Sequence, residues 1–216
     1  MIKKNIKLRI HTAIFLLALL LLMIKFNLIL LYVLIIFGVL SVIEFIQITK
    51  KFILPKFARY FINLFFITYL SLYCFLFFFL SNYAQTKVIL YILLLGCIAS
   101  DIGGFVIGKL IKGPRLTKIS PNKTYSGAIG SICFSYIVIS VTIFLYTNNF
   151  SYLALVVSII TSISCQIGDL AFSFLKRKAK IKDTGFFLPG HGGVLDRLDG
   201  ILLGIPLGFL SIIVLI

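Results

Sequence analysis

Acidic residues and tryptophan are scarce in this 216-residue chain, which has six Asp and Glu in total and no Trp. Charged residues of both signs make up only 12% of the chain, about half of their share in a soluble domain. Together with 61% hydrophobic residues, this composition excludes a water-soluble globular enzyme, a disordered chain and a fibrous repeat. The four cysteines lie in apolar runs without paired spacing. They are therefore expected to be small, buried and unpaired, rather than part of a disulfide framework or a zinc site.

Long apolar runs make up most of the sequence. A membrane-spanning helix needs about 20 mostly apolar residues, and seven runs approach or reach that length. They lie at about 12–25, 27–48, 60–80, 88–108, 126–147, 151–173 and 199–216. The loops between them are too short for a separate soluble domain. The predicted fold class is therefore all-α, a polytopic integral membrane protein of about seven transmembrane helices.

Basic residues outnumber acidic residues by 21 to six, which gives a net charge of +15. In a soluble protein this excess would indicate nucleic-acid binding, but short cytoplasmic loops of membrane proteins also collect Lys and Arg. With the N-terminus inside, 19 of the 21 basic residues fall on the inner side, and only Lys25 and Lys87 fall outside. The distribution predicts a cytoplasmic N-terminus, an outside C-terminus and no nucleic-acid partner.

The six acids are not explained by topology, because a carboxylate within a membrane span is costly and suggests a function. Asp101 and Asp169 lie near the predicted cytoplasmic ends of the fourth and sixth spans, and Asp196 and Asp199 open the seventh. The three-residue spacing of the last two would let both carboxylates face one cavity from one helix start. For Glu44, pairing with a nearby lysine and a role in the site are equally open.

The segment 168–199 has the densest polar pattern. Asp169, Ser173 and Lys176 are spaced to share one face of a helix. The run 182–193, with four glycines and a proline, predicts a loop whose backbone N–H groups suit phosphate oxygens. Carboxylates bind Mg²⁺, and Lys and Arg neutralise phosphate charge. The pattern therefore favours phosphoryl or nucleotidyl transfer.

A second basic loop precedes the fifth span. Ser120-Pro121 is a turn and helix-start signal, and Lys123 and Thr124 follow it. Their position predicts a phosphate cradle at a helix N-terminus, with a simple connecting loop equally open. The loop lacks the Gly-x-x-x-x-Gly-Lys pattern of a Walker A motif.

The segment 173–199 resembles the signature of the phosphatidate cytidylyltransferases, also called CDP-diacylglycerol synthases. Every fixed position of that signature is present with its spacing. The matching positions are Ser173, Lys176-Arg177, Lys182-Asp183, Gly185, Leu188-Pro189-Gly190-His191-Gly192-Gly193, Asp196-Arg197 and Asp199. Upstream, Asp101 to Lys109 and the segment 120–127 also look like the family, whereas the first 90 residues match only as hydrophobic spans.

The resemblance implies an enzyme, a nucleotidyltransferase of phospholipid biosynthesis that transfers CMP from CTP to phosphatidate and releases CDP-diacylglycerol and pyrophosphate. It implies Mg²⁺ as cofactor, with a second cation such as K⁺ left open. It also implies a homodimer in the bacterial cytoplasmic membrane, with the site on the cytoplasmic side. Residues 91–216 would form the catalytic region, and residues 1–90 a scaffold of transmembrane helices that faces lipid or the partner.

The resemblance also implies roles for single residues. Asp169 and Asp196 match the metal site. The expected catalytic residues are Asp169, Asp196, Lys176, Arg177 and Arg197, and the expected substrate-binding residues are Lys123, Thr124, Ser173, Lys182, Asp183, His191, Gly192, Gly193, Asp199 and Asp101. Phe172 and Ser126 stand where the family often has acids, which leaves the number of metal ions open.

Two other functions stay open at this point. One is another CTP-dependent lipid enzyme, either an isoprenoid-alcohol kinase or a cytidylyltransferase for ether lipids. The other is a non-catalytic membrane protein on the same scaffold. The full signature argues against the first, and the retained acids and His-Gly-Gly sequence argue against the second.

Overall fold

The computed structural model of the chain describes residues 2–215 except 54, 118, 122 and 191, with side chains from Leu8 onward. In that part of the chain the regular structure is helical, with two isolated β-bridges and no strand. The helices are α1 (Ile2–Lys25), α2 (Asn27–Phe52), α3 (Lys56–Ser81), α4 (Ala84–Ile111), α5 (Tyr125–Thr147), α6 (Leu153–Lys178), α7 (Leu195–Leu198) and α8 (Ile201–Leu215). The predicted all-α fold is confirmed.

Seven helical segments of the described chain are long and apolar enough to cross a membrane, as the hydrophobic runs predict. The helices are longer than those runs, and α1 in particular begins ten residues earlier. The seventh span is the one that differs in kind. It starts at Leu195 rather than at Asp199, and a turn at Asp199 and Gly200 separates α7 from α8. Asp196 and Asp199 therefore do not open one continuous helix, contrary to the prediction.

The four cysteines are free thiols, as predicted. Cys97 and Cys165 are buried and Cys74 is half-buried, but Cys133 is exposed. The prediction that all four are buried is therefore wrong for Cys133, because an apolar residue of a membrane helix can face lipid as readily as protein.

The chain divides into two compact units. The first contains the residues up to Tyr83 together with Leu175–Leu198. Within it, α2 packs on α3, where the Phe45 and Phe66 rings stack with centroids 3.9 Å apart. One turn further along α2, the buried Thr49 hydroxyl donates to Asn63 Oδ1 at 2.8 Å. The first unit thus joins the N-terminal helices to the glycine-rich segment of the signature.

The second unit contains Ala84–Phe174 and the residues from Asp199 onward. Small residues let its helices approach closely, which is the usual packing of membrane helices. On α4, Gly103 lies against α5 so tightly that an added Cβ would be 2.5 Å from the Gly130 carbonyl oxygen. Between α4 and α6, the buried hydroxyls of Ser100 and Ser162 are 2.9 Å apart and share a hydrogen bond. Close backbone contact and paired hydroxyls therefore hold this unit together.

The glycine contact between α4 and α5 predicts a difference between two Gly→Ala variants. Alanine generally favours a helix over glycine by ~1 kcal/mol. In Gly103→Ala, the new methyl group meets backbone, so overpacking on the order of 1–3 kcal/mol should outweigh that gain. In the control Gly38→Ala, the methyl group meets only Cys74 Sγ at 3.6 Å, an ordinary contact. Thermal unfolding in detergent should show a lower midpoint for Gly103→Ala alone, and equal midpoints would contradict the α4–α5 packing.

Candidate active site

In the second unit, the predicted residues of the basic loop meet those of α6. Lys123 Nζ forms an ion pair with Asp169 Oδ2 at 2.5 Å, and both side chains are partly exposed. The Ser173 hydroxyl donates to Asp169 Oδ1 at 3.4 Å, as expected for residues one turn apart on a helix. The structure thus brings Lys123, Asp169 and Ser173 together, and all three face one another from α6 and the loop before α5.

Thr124 is the N-cap of α5. Its hydroxyl oxygen accepts from the Gly127 backbone N–H at 3.1 Å, which satisfies one of the free amides at the helix start. The prediction that Lys123 and Thr124 stand at a helix N-terminus is therefore confirmed. Ser126, in the first turn of α5, donates to the Lys112 carbonyl oxygen and ties the loop to its own beginning.

Two further acids lie in the second unit. Asp101, on α4, is exposed, and its Oδ1 accepts from the Cys165 thiol at 3.7 Å. Asp199 is buried at the turn before α8, and its Oδ1 accepts from the Gly200 N–H at 2.9 Å. This local hydrogen bond accounts for the turn that interrupts the seventh span, since the Asp199 side chain competes with the helical backbone pattern.

In the first unit, Asp196 is held from both sides. Lys176 Nζ donates to Oδ1 at 2.8 Å, while Oδ2 accepts the backbone N–H groups of Thr184 at 2.8 Å and Gly193 at 3.1 Å. Both side chains of the ion pair are largely buried, at 14% exposure for Lys176 and 8% for Asp196. The carboxylate of α7 therefore fixes two separate points of the glycine-rich loop and one lysine at the end of α6.

The loop itself closes through backbone hydrogen bonds. Leu188 and Gly192 exchange both N–H···O bonds, at 2.9 and 3.1 Å. The turn between them needs positive φ at Gly190 and Gly192, +77° and +87°, a conformation that favours glycine. From α1, Arg9 Nε donates to the Gly190 carbonyl at 3.0 Å, and the Thr12 hydroxyl donates to the Pro189 carbonyl at 2.7 Å. The predicted loop is thus present, and α1 is hydrogen-bonded to two of its carbonyl groups.

Glu44 also contacts this loop region, and sequence reasoning did not predict how. Its carboxylate accepts from the Thr184 hydroxyl at 2.6 Å and from the N–H groups of Val194 and Leu195, both at 2.9 Å. Its partners are thus a hydroxyl and two amides rather than a lysine. The one signal available in the sequence is that Glu44 is the sole acid in the first 100 residues, inside an apolar run.

A cavity of about 550 Å³ lies beside the loop, between the last turns of α2 and the segment 181–187. Lys51 and Lys182 line it together with Asp183. Next to these charges, Phe186 is 95% exposed and Phe187 is about half exposed. The cavity therefore has two lysines and one carboxylate in its lining, together with two apolar rings that are exposed at its edge.

The remaining predicted residues are mostly at the surface. Arg177, Lys182, Asp183 and Arg197 are exposed, and Gly192 is half-buried within the loop. His191 lies outside the described residues, as does Lys118 of the second basic loop. Within the second unit the predicted residues form a cluster around Asp169, and within the first unit they form a cluster around Asp196.

The chemistry of both clusters suits an anionic ligand that carries a metal ion. Among the described residues, no group of three or more His, Cys, Asp and Glu lies close enough together to hold a metal ion. Mg²⁺, however, is commonly bound through one or two carboxylates plus water and substrate phosphates. Asp169 and Asp196 provide hard oxygen donors of that kind, each beside a lysine. The donor set therefore fits magnesium bound together with a nucleotide, but not a closed protein-only site.

Comparison with known proteins identifies the family. Residues 3–215 match the cytidylyltransferase family, so the chain belongs to that family. The match covers nearly the whole chain, including the N-terminal helices, so the likeness to the family extends beyond the signature segment.

Individual relatives agree with this result. The chain is 43% identical over 112 residues to a protein of Helicobacter pylori (strain ATCC 700392 / 26695), over 52% of this chain and 42% of the relative. It is 41% identical over 134 residues to one of Rickettsia felis, over 56% and 59%, and 39% identical over 111 residues to one of Mycobacterium leprae, over 51% and 36%. All three are named phosphatidate cytidylyltransferase. The matched regions span less than two thirds of each relative.

The Lys176–Asp196 pair gives a prediction about stability. Removing the cation in Lys176→Met leaves a largely buried carboxylate without its charge partner, which typically costs about 3–5 kcal/mol. Neutralising both partners in Lys176→Met/Asp196→Asn should recover part of that loss. Thermal unfolding midpoints in detergent, with the exposed Lys50→Met as control, measure the effect. If the loss in the double variant equals the sum of the losses in Lys176→Met alone and Asp196→Asn alone, the pair does not interact.

Proposed function

We propose that the chain is a phosphatidate cytidylyltransferase, which transfers CMP from CTP to phosphatidate and releases pyrophosphate. One observation carries the proposal. The signature segment forms a closed glycine-rich loop, and two amides of that loop and Lys176 of α6 converge on Asp196, in a chain that belongs to the cytidylyltransferase family. The names of the bacterial relatives support the same lipid substrate and the same nucleotide.

The reaction needs charge neutralisation more than proton transfer. An oxygen of the phosphatidate phosphate forms a new bond to the α-phosphorus of CTP, and the bond from that phosphorus to the bridging oxygen of pyrophosphate breaks. The attacking oxygen is already anionic near neutral pH, so no general base is assigned. Repulsion between two anions is the main obstacle, and fixed cations in the right geometry lower it.

Several basic residues would supply that neutralisation. Lys123 and Lys176 are held in place by their carboxylate partners in the resting structure, and Arg177, Lys182 and Arg197 are exposed to an incoming anion. Magnesium bound at Asp169 or Asp196 would add positive charge to the phosphate oxygens. A second cation such as K⁺ stays an open part of the proposal.

We propose further that the cavity beside α2 takes the phosphate headgroup of the lipid. Its two lysines suit a phosphate, and the exposed Phe186 and Phe187 suit the acyl region that adjoins the headgroup. A nucleotide has no such apolar neighbour. Lys51 lies in the last turn of a membrane-length helix, which is the depth of a headgroup.

The orientation in the membrane is proposed from the charge distribution. Seven spans with 19 of 21 basic residues on one side favour a cytoplasmic N-terminus and a site on the cytoplasmic face. CTP is on that side of the membrane in a bacterium. The bacterial inner membrane as location, and assembly as a homodimer, belong to the same proposal and rest on the resemblance to the family.

The purified protein in lipid vesicles should convert CTP and phosphatidate to CDP-diacylglycerol when Mg²⁺ is present. Asp169→Asn and Asp196→Asn should each reduce turnover by at least about 100-fold, since each removes a carboxylate beside a cation of the site. Radiolabelled CTP and thin-layer chromatography of the lipids measure the product. Size-exclusion chromatography and unfolding midpoints check that the variants are folded, and normal turnover in either variant would contradict its assignment.

The same assay separates the alternatives. Phosphatidate, diacylglycerol, an isoprenoid alcohol and an ether-linked phosphatidate are offered in parallel with CTP labelled in the α- or γ-phosphate. Transfer of γ-label alone would identify a lipid kinase. A preference for the ether lipid would identify an ether-lipid cytidylyltransferase, and no transfer to any acceptor would favour a non-catalytic protein.

Two adjacent lysines test the proposed lipid cavity. Lys51 lines the cavity and Lys50 does not. Lys51→Gln should raise KM for phosphatidate about tenfold, equivalent to ~1.4 kcal/mol for one charge-assisted hydrogen bond, and should leave KM for CTP unchanged. Lys50→Gln is the matched control, with both KM values as in the parent. A larger effect of Lys51→Gln on CTP than on lipid would assign the cavity to the nucleotide instead.

A further inference from the structure

Glu44 is the most deeply buried acid of the described chain. It lies about two turns before the end of α2, with no exposed surface, and its carboxylate is satisfied by hydrogen bonds. Oε2 accepts from the Thr184 hydroxyl and the Leu195 N–H, and Oε1 accepts from the Val194 N–H. Burying a carboxylate is unfavourable unless it is well hydrogen-bonded, and these three donors provide those bonds.

The loop backbone is shaped around this carboxylate. Gly185 and Gly193 both lie directly against it, and a Cβ at either position would collide with a carboxylate oxygen. The two glycines belong to two different arms of the loop, the segment 184–185 and the segment 193–195. Glu44 therefore links the two arms, although it lies 140 positions away from Thr184 in one arm and 150 positions away from Val194 in the other.

The same two arms hold Asp196. Thr184 donates its hydroxyl to Glu44 and its backbone N–H to Asp196 Oδ2. Gly193, which packs on Glu44, donates its own N–H to the same oxygen of Asp196. Val194 and Leu195, whose amides Glu44 accepts, lead directly into the turn of helix that carries Asp196. Any shift of the arms relative to each other would therefore move or rotate the Asp196 carboxylate.

We propose that Glu44 is a positioning residue for the reaction: it fixes the two arms of the glycine-rich loop and thereby the orientation of Asp196. It acts through Thr184 and Gly193, without touching substrate. The proposal rests on the proposed function, because it concerns the turnover that Asp196 supports. It assigns to the N-terminal helices a part in the chemistry beyond that of a membrane scaffold.

The hydrogen-bond geometry explains why a carboxylate is needed at this position. Two of the three donors are backbone N–H groups, which cannot turn round to accept. A carboxylate offers acceptors on both oxygens, whereas the near-isosteric amide of glutamine must turn an NH₂ group toward Val194 or toward Leu195 and Thr184. Glu44→Gln thus keeps the volume and loses at least one bond between the arms, so it tests position rather than packing.

The experiment compares kcat and KM of three variants with the parent in lipid vesicles. Glu44→Gln should lower kcat, per folded molecule, by about 10- to 100-fold, the effect of a small misplacement of a reacting group. KM for CTP should stay within about threefold, because Glu44 contacts no nucleotide group in the proposal. KM for phosphatidate is not a criterion, since Thr184 and Gly185, which contact Glu44, line the proposed lipid cavity. Thr184→Val, which removes the hydroxyl but keeps the backbone N–H to Asp196, should lower kcat in the same direction.

Thr49→Val is the matched control. Thr49 is likewise fully buried on α2 and donates a side-chain hydrogen bond, but to Asn63 of α3 rather than to the loop. Its loss should lower the unfolding midpoint and leave kcat of the folded protein unchanged. The control separates a positioning role from the general cost of removing a buried polar contact.

Three results would overturn the inference. The first is a Glu44→Gln variant with parental kcat per folded molecule. The second is a loss of activity that only follows the loss of folded protein. If Glu44→Gln gives too little folded protein to assay, Thr184→Val decides, and parental kcat in that variant is the third. An inactive parent protein, in contrast, would refute the proposed function itself.

Discussion

The backbone N–H groups of the glycine-rich loop impose the main constraint on this structure. The segment between α6 and α7 is not helical, so most of its amides have no partner within a helix, and buried amides require acceptors. Asp196 accepts two of them, and Glu44 accepts that of Val194 together with the amide of Leu195, the first residue of α7, while Leu188 and Gly192 pair with each other. The conformation of the loop and the positions of the Asp196 and Glu44 carboxylates therefore depend on each other.

This constraint also explains the use of the few acids. A chain with 21 basic and six acidic residues has an excess of cations to offer an anionic substrate, and exposed ion pairs would add little stability. Instead, the carboxylates of Glu44 and Asp196 accept hydrogen bonds from backbone N–H groups at largely buried positions. Asp199 accepts from the N–H of the residue that follows it. Asp169 and Asp196 each pair with a lysine, and those two lysines are fixed where phosphate chemistry is proposed.

Local pattern predicted much of the fold and part of the site. Hydropathy gave the seven spans because lipid exposure depends on the composition of a segment, and helical spacing placed Ser173 beside Asp169. The turn at Asp199-Gly200 was not predicted, since an acid near a helix start is ordinarily favourable. The contacts of Arg9, Thr12 and Glu44 with the loop were not predicted either. They join residues 140 or more positions apart, and no periodicity in one sequence reports such a distance.

These long-range contacts change the view of the N-terminal helices. Read from the sequence, residues 1–90 are apolar spans with one unexplained acid. In the structure, α1 donates two hydrogen bonds to loop carbonyls. The α2 side chain of Glu44 accepts three hydrogen bonds, from Thr184, Val194 and Leu195. Helices of the first unit therefore bind both the carbonyl groups and the donor groups of this region. A loop that contains four glycines has high conformational entropy when free. The five hydrogen bonds restrict its conformations. The signature contains the residues to which the proposed function assigns the chemistry, but the shape of the loop depends on residues that the signature does not include.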